Sequence, residues 1–493
     1  MLDVVTRNPD WLPALLLLLP LSGLVALTVV PEKRVPLAAL SLFLAGLLLS
    51  IALIAGVLSA YDAFEFRLHR SGMLPLGLLR ADGMASAMLL CTAVILFVVC
   101  CYLIADGRTP ATRPGSGARP FWLCLFGLWF GLGLVFLSTD LLTLYVGLEI
   151  VMLSMVPLLG IFQGEPVRAP AQRFLVMSTV GSVFTLCGML SLLLGYGTLE
   201  FLALSQQPPH APYAQIAVTL ITIGLFFRAA LFPVHTWLPA AHAGASAPAS
   251  ALLSTLVVTA AFIALVRIWV DAQPGVGTAT AGQLLGVLGA CAILLGSLMA
   301  LRQEKLKTLV AYSTVAQLGF LLLTFPLASA TRLEETVWTG GILQAISHAV
   351  AKAAMALAVG LVIRTIGHDR ISELGGLARS MPLTVFAFAA AGMSLMGLPP
   401  SGGFVAKWLL LRGAIEGGQW WWGIVIISGG LLTGSYLYRV VSRALWMQGP
   451  APVLKQPIDR RMECLVLALA LISILIGLLR ISDLQFVHIG REW

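Results

Sequence analysis

The sequence predicts an all-α polytopic membrane protein with about fourteen transmembrane helices, counted by the roughly 20 apolar residues that one crossing requires. Its composition supports this class, because 59% of the 493 residues are hydrophobic and only 11% are charged. A soluble domain carries about 25% charged residues. The apolar residues also form long runs, and the mean hydropathy of the chain is +0.95.

The predicted membrane spans follow one another with short loops between them. Numbered 1 to 14 in chain order, they are 11–30, 36–60, 84–105, 120–138, 141–162, 174–197, 213–232, 245–269, 282–301, 308–325, 338–363, 382–411 with an interruption, 422–447 and 463–480. The first run is long enough to span a bilayer, so no cleavable signal peptide is needed. The polar stretch 61–82 has the size of a loop. We therefore expect a single transmembrane domain.

Lysine and arginine residues are distributed unevenly between the two sets of loops. Most of the basic loop residues follow odd-numbered spans, for example Lys305, Lys307, Arg460 and Arg461. The positive-inside rule makes those loops cytoplasmic. Because an even number of spans puts both termini on one side, both are predicted to be non-cytoplasmic. The net charge of +8 is then largely a topology signal, and we expect no nucleic-acid partner.

Two proline-containing segments interrupt the helical pattern. The first runs from Pro233 to Pro248, after span 7, and the second contains Pro399 and Pro400, within span 12. A proline inside a helix removes a backbone hydrogen bond, and at membrane depth the freed groups must be buried in protein or face water. Broken helices in two halves point to a transporter site; ordinary kinks are the alternative. A buried cation beside each segment favours the functional interpretation.

One carboxylate lies near the middle of a predicted span. Glu149, in span 5, is surrounded by apolar residues, and an ionised carboxylate without a partner costs several kcal/mol there. Burial disfavours its charged form, whereas a nearby cation favours that form. Glu149 could be a structural ion-pair partner or a proton relay, and we favour the relay.

Three basic residues lie in apolar runs away from the span ends: Arg228, Lys352 and Lys407. His348 precedes Lys352 by four residues, so both side chains lie on one face of span 11. A buried lysine readily loses its proton and histidine titrates near neutrality, which suits the two to proton hopping. An arginine effectively never deprotonates, so Arg228 can serve only as a fixed counter-charge. Four further arginines near span ends are expected to extend to the surface, namely Arg267, Arg439, Arg443 and Arg480.

Four residues complete the predicted site: Lys407 with His235, His242 and Gln317. Lys407 could extend to the membrane surface, but the broken helix beside it favours an interior, wetted position. His235 and His242 could relay protons or hydrogen-bond carbonyl groups that the first break frees. Gln317 does not titrate and could orient water.

Several classes of site have no motif in the sequence. There is no Walker A motif, no GxGxxG fingerprint and no iron–sulfur spacing, and no nucleophile triad or cluster with metal-ligand spacing. The sequence therefore predicts that this polypeptide holds no redox cofactor and no metal, and hydrolyses no nucleotide.

Five motifs resemble those of one membrane-protein family. They are LYVGLE ending at Glu149, FPVHTWLPAAHAGASAP from Phe232, EKLKTLVAYSTVAQLG from Glu304, HAVAKA from His348 and GLPPSGGFVAK ending at Lys407. In order and spacing they resemble the antiporter-like subunits of respiratory complex I. That family includes Mrp-type cation/proton antiporter subunits, membrane-bound hydrogenase subunits and the membrane subunits of DAB-type inorganic-carbon complexes. The chain is too short for the long subunit type and looks like the M, N or D type.

The resemblance implies a particular organisation of the domain. Two inverted repeats of five helices, 120–269 and 282–447, would lie between the N-terminal helices, 1–119, and a last helix, 463–480. Helices 7 and 12 would be broken. The family also has a lateral chain of ionisable groups at mid-membrane.

The site residues match this family at some positions and depart from it at others. Glu149 matches its glutamate of span 5, His348 and Lys352 match its histidine and lysine of span 11, and Lys407 matches its lysine of span 12. Arg228 and Thr259 stand where the family usually or often has lysine. The first half has therefore lost two titratable amines, and we expect Arg228 to hold Glu149 ionised.

The sequence is consistent with three functional hypotheses. The first is a proton-translocating subunit of a larger respiratory-type complex, such as an NADH-quinone oxidoreductase or a hydrogenase, in which protons cross the second half through His348, Lys352 and Lys407. The second is a proton-conducting subunit that energises a non-redox partner, such as one that hydrates carbon dioxide. The third is sodium/proton antiport. The expected partners are other membrane and peripheral subunits, the lipid of the bacterial inner membrane, and protons or Na⁺.

Overall fold

The computed structural model describes residues 9–67, 77–107, 118–160, 168–208, 211–273, 279–329, 333–446 and 453–491. Within these residues, 13 helices are long and apolar enough to cross a membrane. The interrupted span 12 adds the fourteenth crossing. The predicted class, an all-α membrane protein, is confirmed.

The observed spans agree with the predicted ones to within a few residues, except where a break or an irregular turn changes a helix. Spans 1 to 6 are Leu12–Val29, Val35–Ala60, Gly83–Asp106, Ala118–Leu137, Leu141–Gly160 and Arg168–Tyr196. Span 7 is Pro212–Ala229 followed by the short helix Trp237–Gly244, and span 8 is Ala247–Ala272. Spans 9 to 14 are Ala279–Arg302, Leu306–Ala328, Glu334–Ile366, Pro382–Met396 with Gly402–Glu416, Trp420–Leu445 and Arg460–Leu478.

The remaining regular structure is short. The helices outside the spans are Pro9–Trp11, Glu32–Arg34, Phe201–Ser205, Ile371–Glu373, Leu377–Ser380, Ile481–Leu484 and Gln485–His488. The stretch 61–82, predicted to be a loop, contains an antiparallel hairpin of β1, Phe64–Arg67, and β2, Leu78–Ala81, with Phe64 opposite Ala81.

Side-chain caps mark the starts of several helices. The carboxylate of Asp82 accepts a hydrogen bond from the amide of Ala85, 2.7 Å away, at the start of span 3. Ser246 accepts one from Ala249 in the same way, at the start of span 8. Such a cap satisfies an amide that has no partner inside its own helix.

The two chain ends that the structure describes lie on one face of the helix bundle. Strand β1 packs against Pro9–Trp11 near the N-terminus. The amide of Gly83, beside β2, donates to the carbonyl of Ile489 near the C-terminus at 2.9 Å. This arrangement is expected of an even number of crossings.

Equivalent helices pair in both halves of the bundle. Span 4 packs against span 5 and span 6 against span 7; in the second half, span 9 packs against span 10 and span 11 against span 12. Close approach of spans 4 and 5 depends on glycine, because a Cβ on Gly147 would lie 2.9 Å from the carbonyl oxygen of Gly131. The pairing is what two copies of one five-helix unit would produce, and the repeat boundaries 120–269 and 282–447 stay a prediction.

The break in span 12 follows directly from its prolines. A helical carbonyl normally accepts from the amide four residues later, and the residues four positions after Leu395 and Met396 are Pro399 and Pro400, which have no N–H. The helix ends at Met396, Gly397 adopts φ 87°, and a new helix starts at Gly402. Two carbonyl groups are thereby left inside the bundle for other donors.

Candidate functional site

The first half of the bundle contains one buried ion pair. Arg228, on span 7, is 5% exposed and contacts the carboxylate of Glu149, on span 5. Its guanidinium also donates to the carbonyl of Leu148 at 3.0 Å and to the hydroxyl of Ser182 at 2.6 Å, and it lies 5.9 Å from the centre of the Tyr145 ring. We call Glu149 and Arg228 the arginine pair. The predicted counter-charge contact is present in the structure.

The second half contains two buried lysines. Lys352, in the middle of span 11, has no exposed surface; its amine donates to the carbonyl of Val310 at 2.9 Å and also contacts the hydroxyl of Ser313. Lys407, in the second part of span 12, is 6% exposed. Among the described residues, neither amine has a carboxylate within 4.0 Å.

The broken helix supplies the acceptors of Lys407. Its amine lies 2.5 Å from the carbonyl oxygen of Leu395 and 3.2 Å from that of Met396, the two groups that the prolines leave without helical donors. The amine also lies 4.1 Å from the centre of the Phe320 ring, within the range of a cation–π contact. Lys407 therefore points to the bundle interior, as predicted, and not to a membrane surface.

Gln317 connects this site to spans 11 and 13. Its amide nitrogen donates to the carbonyl of Leu395 at 3.0 Å, the same oxygen that accepts from Lys407. The amide oxygen of Gln317 accepts from Gln344 at 3.0 Å, and its nitrogen is 3.4 Å from the hydroxyl of Thr433. Gln317 thus helps to hold the acceptor of a lysine, a role more specific than the predicted one of orienting water.

Two buried histidines lie beside Lys352. His348 and His242 are each 1% exposed, and both interact electrostatically with Lys352. His348 also interacts with Lys407, and its Nε2 is 3.1 Å from the carbonyl oxygen of Ser254, in an irregular turn of span 8. His242 also interacts with Lys307. The histidines therefore lie between Lys352 and Lys307 on one side and between Lys352 and Lys407 on the other.

Lys307 was missed as a site residue, although it belongs to one of the motifs. Its amine donates to the carbonyl of Ala245 at 2.7 Å, and its backbone amide donates to the carboxylate of Asp369 at 3.2 Å. It is half-buried where span 10 begins, on the face opposite the chain ends. We call the whole set the lysine cluster: His242, Lys307, Gln317, His348, Lys352 and Lys407.

Apart from His235, the predicted site residues thus fall into two groups. No hydrogen bond or ion pair between residues that the structure describes joins the arginine pair to the lysine cluster. His235 is half-buried at the first break and stacks on Phe232, with ring centres 5.5 Å apart. Thr259, where the family often has lysine, is fully buried on span 8 and its hydroxyl has no partner among the described residues.

Arg267 does not extend to the surface as predicted. It is 4% exposed, and its guanidinium lies 2.7 Å from Asp82 and 3.0 Å from Asp271. Arg491 near the C-terminus also contacts Asp271. The spacing of Arg267 and Asp271, four residues apart on one helix, is the signal that could have indicated this pairing. The other three arginines named with it are exposed or half-buried: Arg439, Arg443 and Arg480.

The charges around Asp82 control its ionisation. Burial raises the pKa of this carboxyl group, but Arg267 and Arg491 outweigh burial and hold that pKa below its usual value. Asp82 is therefore a carboxylate at neutral pH. Among the described residues, no group of three histidine, cysteine, aspartate or glutamate side chains is placed to hold a metal ion.

Known proteins resemble this chain in sequence and in structure. The family described as NADH:quinone oxidoreductase/Mrp antiporter, transmembrane, matches residues 138–433. NADH-quinone oxidoreductase subunit N of Desulforudis audaxviator is 35% identical over 351 residues, which are 70% of this chain and 68% of that relative. A chain of the Mrp complex from Dietzia sp. superposes with a TM-score of 0.86 at 22% identity, covering 98% of this chain and 97% of that one.

A second solved structure also resembles this chain. A chain of an archaeal membrane-bound sulfane sulfur reductase, a respiratory membrane complex, superposes with a TM-score of 0.86 at 23% identity, covering 97% of this chain and 98% of that one. At such identities the structural matches show the fold. The sequence match covers the breaks, the arginine pair and the lysine cluster, and by it this chain belongs to the NADH:quinone oxidoreductase/Mrp antiporter transmembrane family.

Proposed function

We propose that this chain is the proton-translocating subunit of a larger respiratory-type complex, and that protons cross the membrane through the lysine cluster. The observation that carries the proposal is the pair of buried amines in the second half. The Lys352 amine is held by a carbonyl and a hydroxyl oxygen and the Lys407 amine by two carbonyl oxygens, and neither has a carboxylate partner among the described residues. A buried positive charge without a counter-charge costs free energy, so an amine in that setting can exist in its neutral form. A proton carrier requires such a neutral form.

The chemistry of the cluster favours protons over Na⁺ as the transported ion. Hard cations bind oxygen ligands, carboxylates above all. The titratable groups of the lysine cluster are amines and imidazoles, which bind protons. The mid-span carboxylate, Glu149, is engaged by Arg228. Sodium/proton antiport is therefore the weaker alternative.

A path through the cluster can be written from its contacts. A proton would enter at Lys307, on the face with the basic loops, and pass by His242 to Lys352. It would continue by His348 to Lys407 at the break of span 12. If the basic loops are cytoplasmic in the bacterial inner membrane, entry is from the cytoplasm and both chain ends lie outside.

The partners of this subunit would supply the energy. The sequence relatives are subunits of NADH-quinone oxidoreductase, and we propose a complex of that type, with other membrane and peripheral subunits. A redox partner accounts for the function without a cofactor in this chain. A non-redox partner is the alternative, and co-purifying subunits distinguish the two: iron–sulfur and flavin proteins indicate the first, a zinc protein the second.

Proton flux in proteoliposomes tests the proposal. The complex is extracted with its co-purifying subunits and reconstituted, a potassium diffusion potential is imposed without Na⁺, and internal pH is followed with a dye. We expect wild-type flux well above that of protein-free vesicles, and flux at the protein-free level for Lys352→Ala and for Lys407→Ala. Both variants should still co-purify with the other subunits.

Two results would contradict the proposal. Normal flux in both lysine variants would exclude the second-half path. Flux that requires a Na⁺ gradient even in the wild type would favour antiport.

A further inference from the structure

A tyrosine on span 13 lies between the two lysine sites. Tyr436 is among the largest fully buried side chains of the protein, with 0% of its surface exposed. Its hydroxyl lies beside the side chains of Thr433, Gln317 and Ser313. Even so, it makes no hydrogen bond of good geometry with any residue that the structure describes. A buried hydroxyl in that state is unusual, because most such groups are paired.

The neighbours of Tyr436 are hydrogen-bonded to the surroundings of two different lysines. Ser313 contacts the amine of Lys352. Gln317 donates to the carbonyl of Leu395, the oxygen that also accepts from Lys407. The tyrosine hydroxyl therefore stands at the meeting point of two hydrogen-bonded groups, one around each amine.

The hydroxyl of Ser313 responds to the charge of Lys352. In the structure it donates to the carbonyl of Val310 at 2.8 Å while its oxygen faces the lysine amine. An ammonium can only donate, so it holds the serine oxygen as an acceptor. A neutral amine can accept, and the serine proton can then turn towards it. The direction in which the serine hydroxyl points, and hence what it offers Tyr436, changes with the proton on Lys352.

Tyr436 can carry that change to the other lysine, because a phenol hydroxyl both donates and accepts. When it donates to Ser313, its oxygen is an acceptor for the amide group of Gln317 or for Thr433. When it donates to Gln317 or Thr433, its oxygen is an acceptor for Ser313. The amide of Gln317 in turn competes with Lys407 for the carbonyl of Leu395.

We propose that Tyr436 is a positioning residue that couples the protonation of Lys352 to that of Lys407 by reorienting its hydroxyl between Ser313 and Gln317. The inference rests on the proposed function, since it concerns the same proton path. It assigns to span 13 a part in proton transfer that neither the titratable residues nor the motifs indicate.

The variant Tyr436→Phe isolates the hydroxyl from the rest of the side chain. It keeps the buried ring and removes an oxygen that has no well-made hydrogen bond, so the fold should be as stable as the wild type or more stable. Proton flux in the reconstituted complex should fall about tenfold. The dependence of the remaining flux on pH should also change, because the two amines would then titrate independently.

Tyr438→Phe is the matched control. Tyr438 lies two residues further along the same helix and is 75% exposed, so loss of its hydroxyl should leave flux, pH profile and stability at wild-type values. The set is completed by Lys407→Ala, which reports on the proposed function separately.

The outcomes separate the two proposals. If Lys407→Ala loses flux while Tyr436→Phe keeps the wild-type rate and pH profile, the coupling role is wrong and the lysine path stands. If Tyr436→Phe loses flux only together with thermal stability, the tyrosine is structural and the coupling role is again overturned. If Lys407→Ala keeps its flux, the proposed function itself fails.

Discussion

The two halves of the bundle hold their buried cations in different ways. In the first half, Arg228 contacts Glu149, and Arg267 lies between Asp82 and Asp271. In the second half, Lys352 and Lys407 are held by carbonyl and hydroxyl oxygens. The first half thus pairs arginine with carboxylate, and the second leaves Lys352 and Lys407 without a carboxylate partner among the described residues.

We interpret this difference as a structural role for the arginine pair and a transport role for the two buried lysines. An arginine keeps its proton in a protein. It therefore has one charge state, and the contacts it makes can orient helices without cycling. A buried lysine without a counter-charge can lose its proton and so can exist in two charge states. We therefore propose that the proton binds and leaves in the second half.

Replacing a lysine by arginine tests the difference between the two halves most directly. Lys352→Arg retains a buried cation but removes its ability to release a proton, so we expect proton flux at the level of protein-free vesicles. The measurement is dye-reported flux in the reconstituted complex.

A control for the size of the new side chain is Lys352→Met, which keeps the length of the lysine and carries no charge. It should also lose flux while the complex assembles. Normal flux in Lys352→Arg would mean that a fixed positive charge is all that the site requires.

Removing Arg228 tests the structural role of the arginine pair. Arg228→Ala leaves Glu149 without its counter-charge in a mostly buried site, which should lower the free energy of unfolding by about 3–5 kcal/mol. Thermal unfolding of the detergent-extracted complex measures this. The double variant Arg228→Ala, Glu149→Ala should recover most of the loss. A stable, fully active Arg228→Ala protein would exclude the counter-charge role.

Asp82 provides a smaller and pH-dependent effect. Asp82→Asn removes the charge of one of the two carboxylates beside Arg267 and leaves Asp271 in place. It should lower the free energy of unfolding by roughly 3 kcal/mol at neutral pH. Because the pKa of Asp82 is lowered in the folded protein, its stabilisation is complete above the ordinary value of about 3.9. It is lost as the pH falls through the lower folded value.

Thermal unfolding of wild type and Asp82→Asn at several pH values checks this sign. The difference between them should be constant near neutrality and shrink only in strong acid. A difference that grows as the pH falls would contradict the assignment.

Arg228→Lys should have the smallest effect. It restores the lysine usual in the family and keeps a cation beside Glu149, so we expect proton flux equal to or above the wild-type rate. The measurement is proton flux in this variant and in the double variant Arg228→Lys, Thr259→Lys. Increased flux only in the double variant would mean that both amines are needed before the first half takes part in transport.

Several parts of the site could be predicted because they depend on local sequence. Pro399 and Pro400 lack N–H groups wherever they stand, so the break in span 12 and an interior position for Lys407 followed from the sequence. Glu149 and Arg228 are charges that apolar runs cannot bury alone, and a pairing between them was expected. Asp271, by contrast, lies near a predicted span end, and its buried partnership with Arg267 was missed.

The missed residues have no distinctive local pattern. Tyr436 is one tyrosine in an apolar helix with an exposed tyrosine two residues later, and its neighbours Ser313 and Gln317 lie more than 100 positions away in the chain. Lys307 follows another lysine at a span end, where basic residues normally mark topology. Their roles depend on which helices pack together.

The sequence alone determines the number of crossings, the places where helices break and the identity of the buried charges. The reason is that hydrocarbon tolerates no unpaired backbone group and few charged side chains. The assembled bundle settles which charge meets which partner. Arg267 of span 8 meets Asp82, which precedes span 3. Lys352 of span 11 meets Val310 and Ser313 of span 10. Such contacts between distant segments arise from packing and have no signal in a single helix.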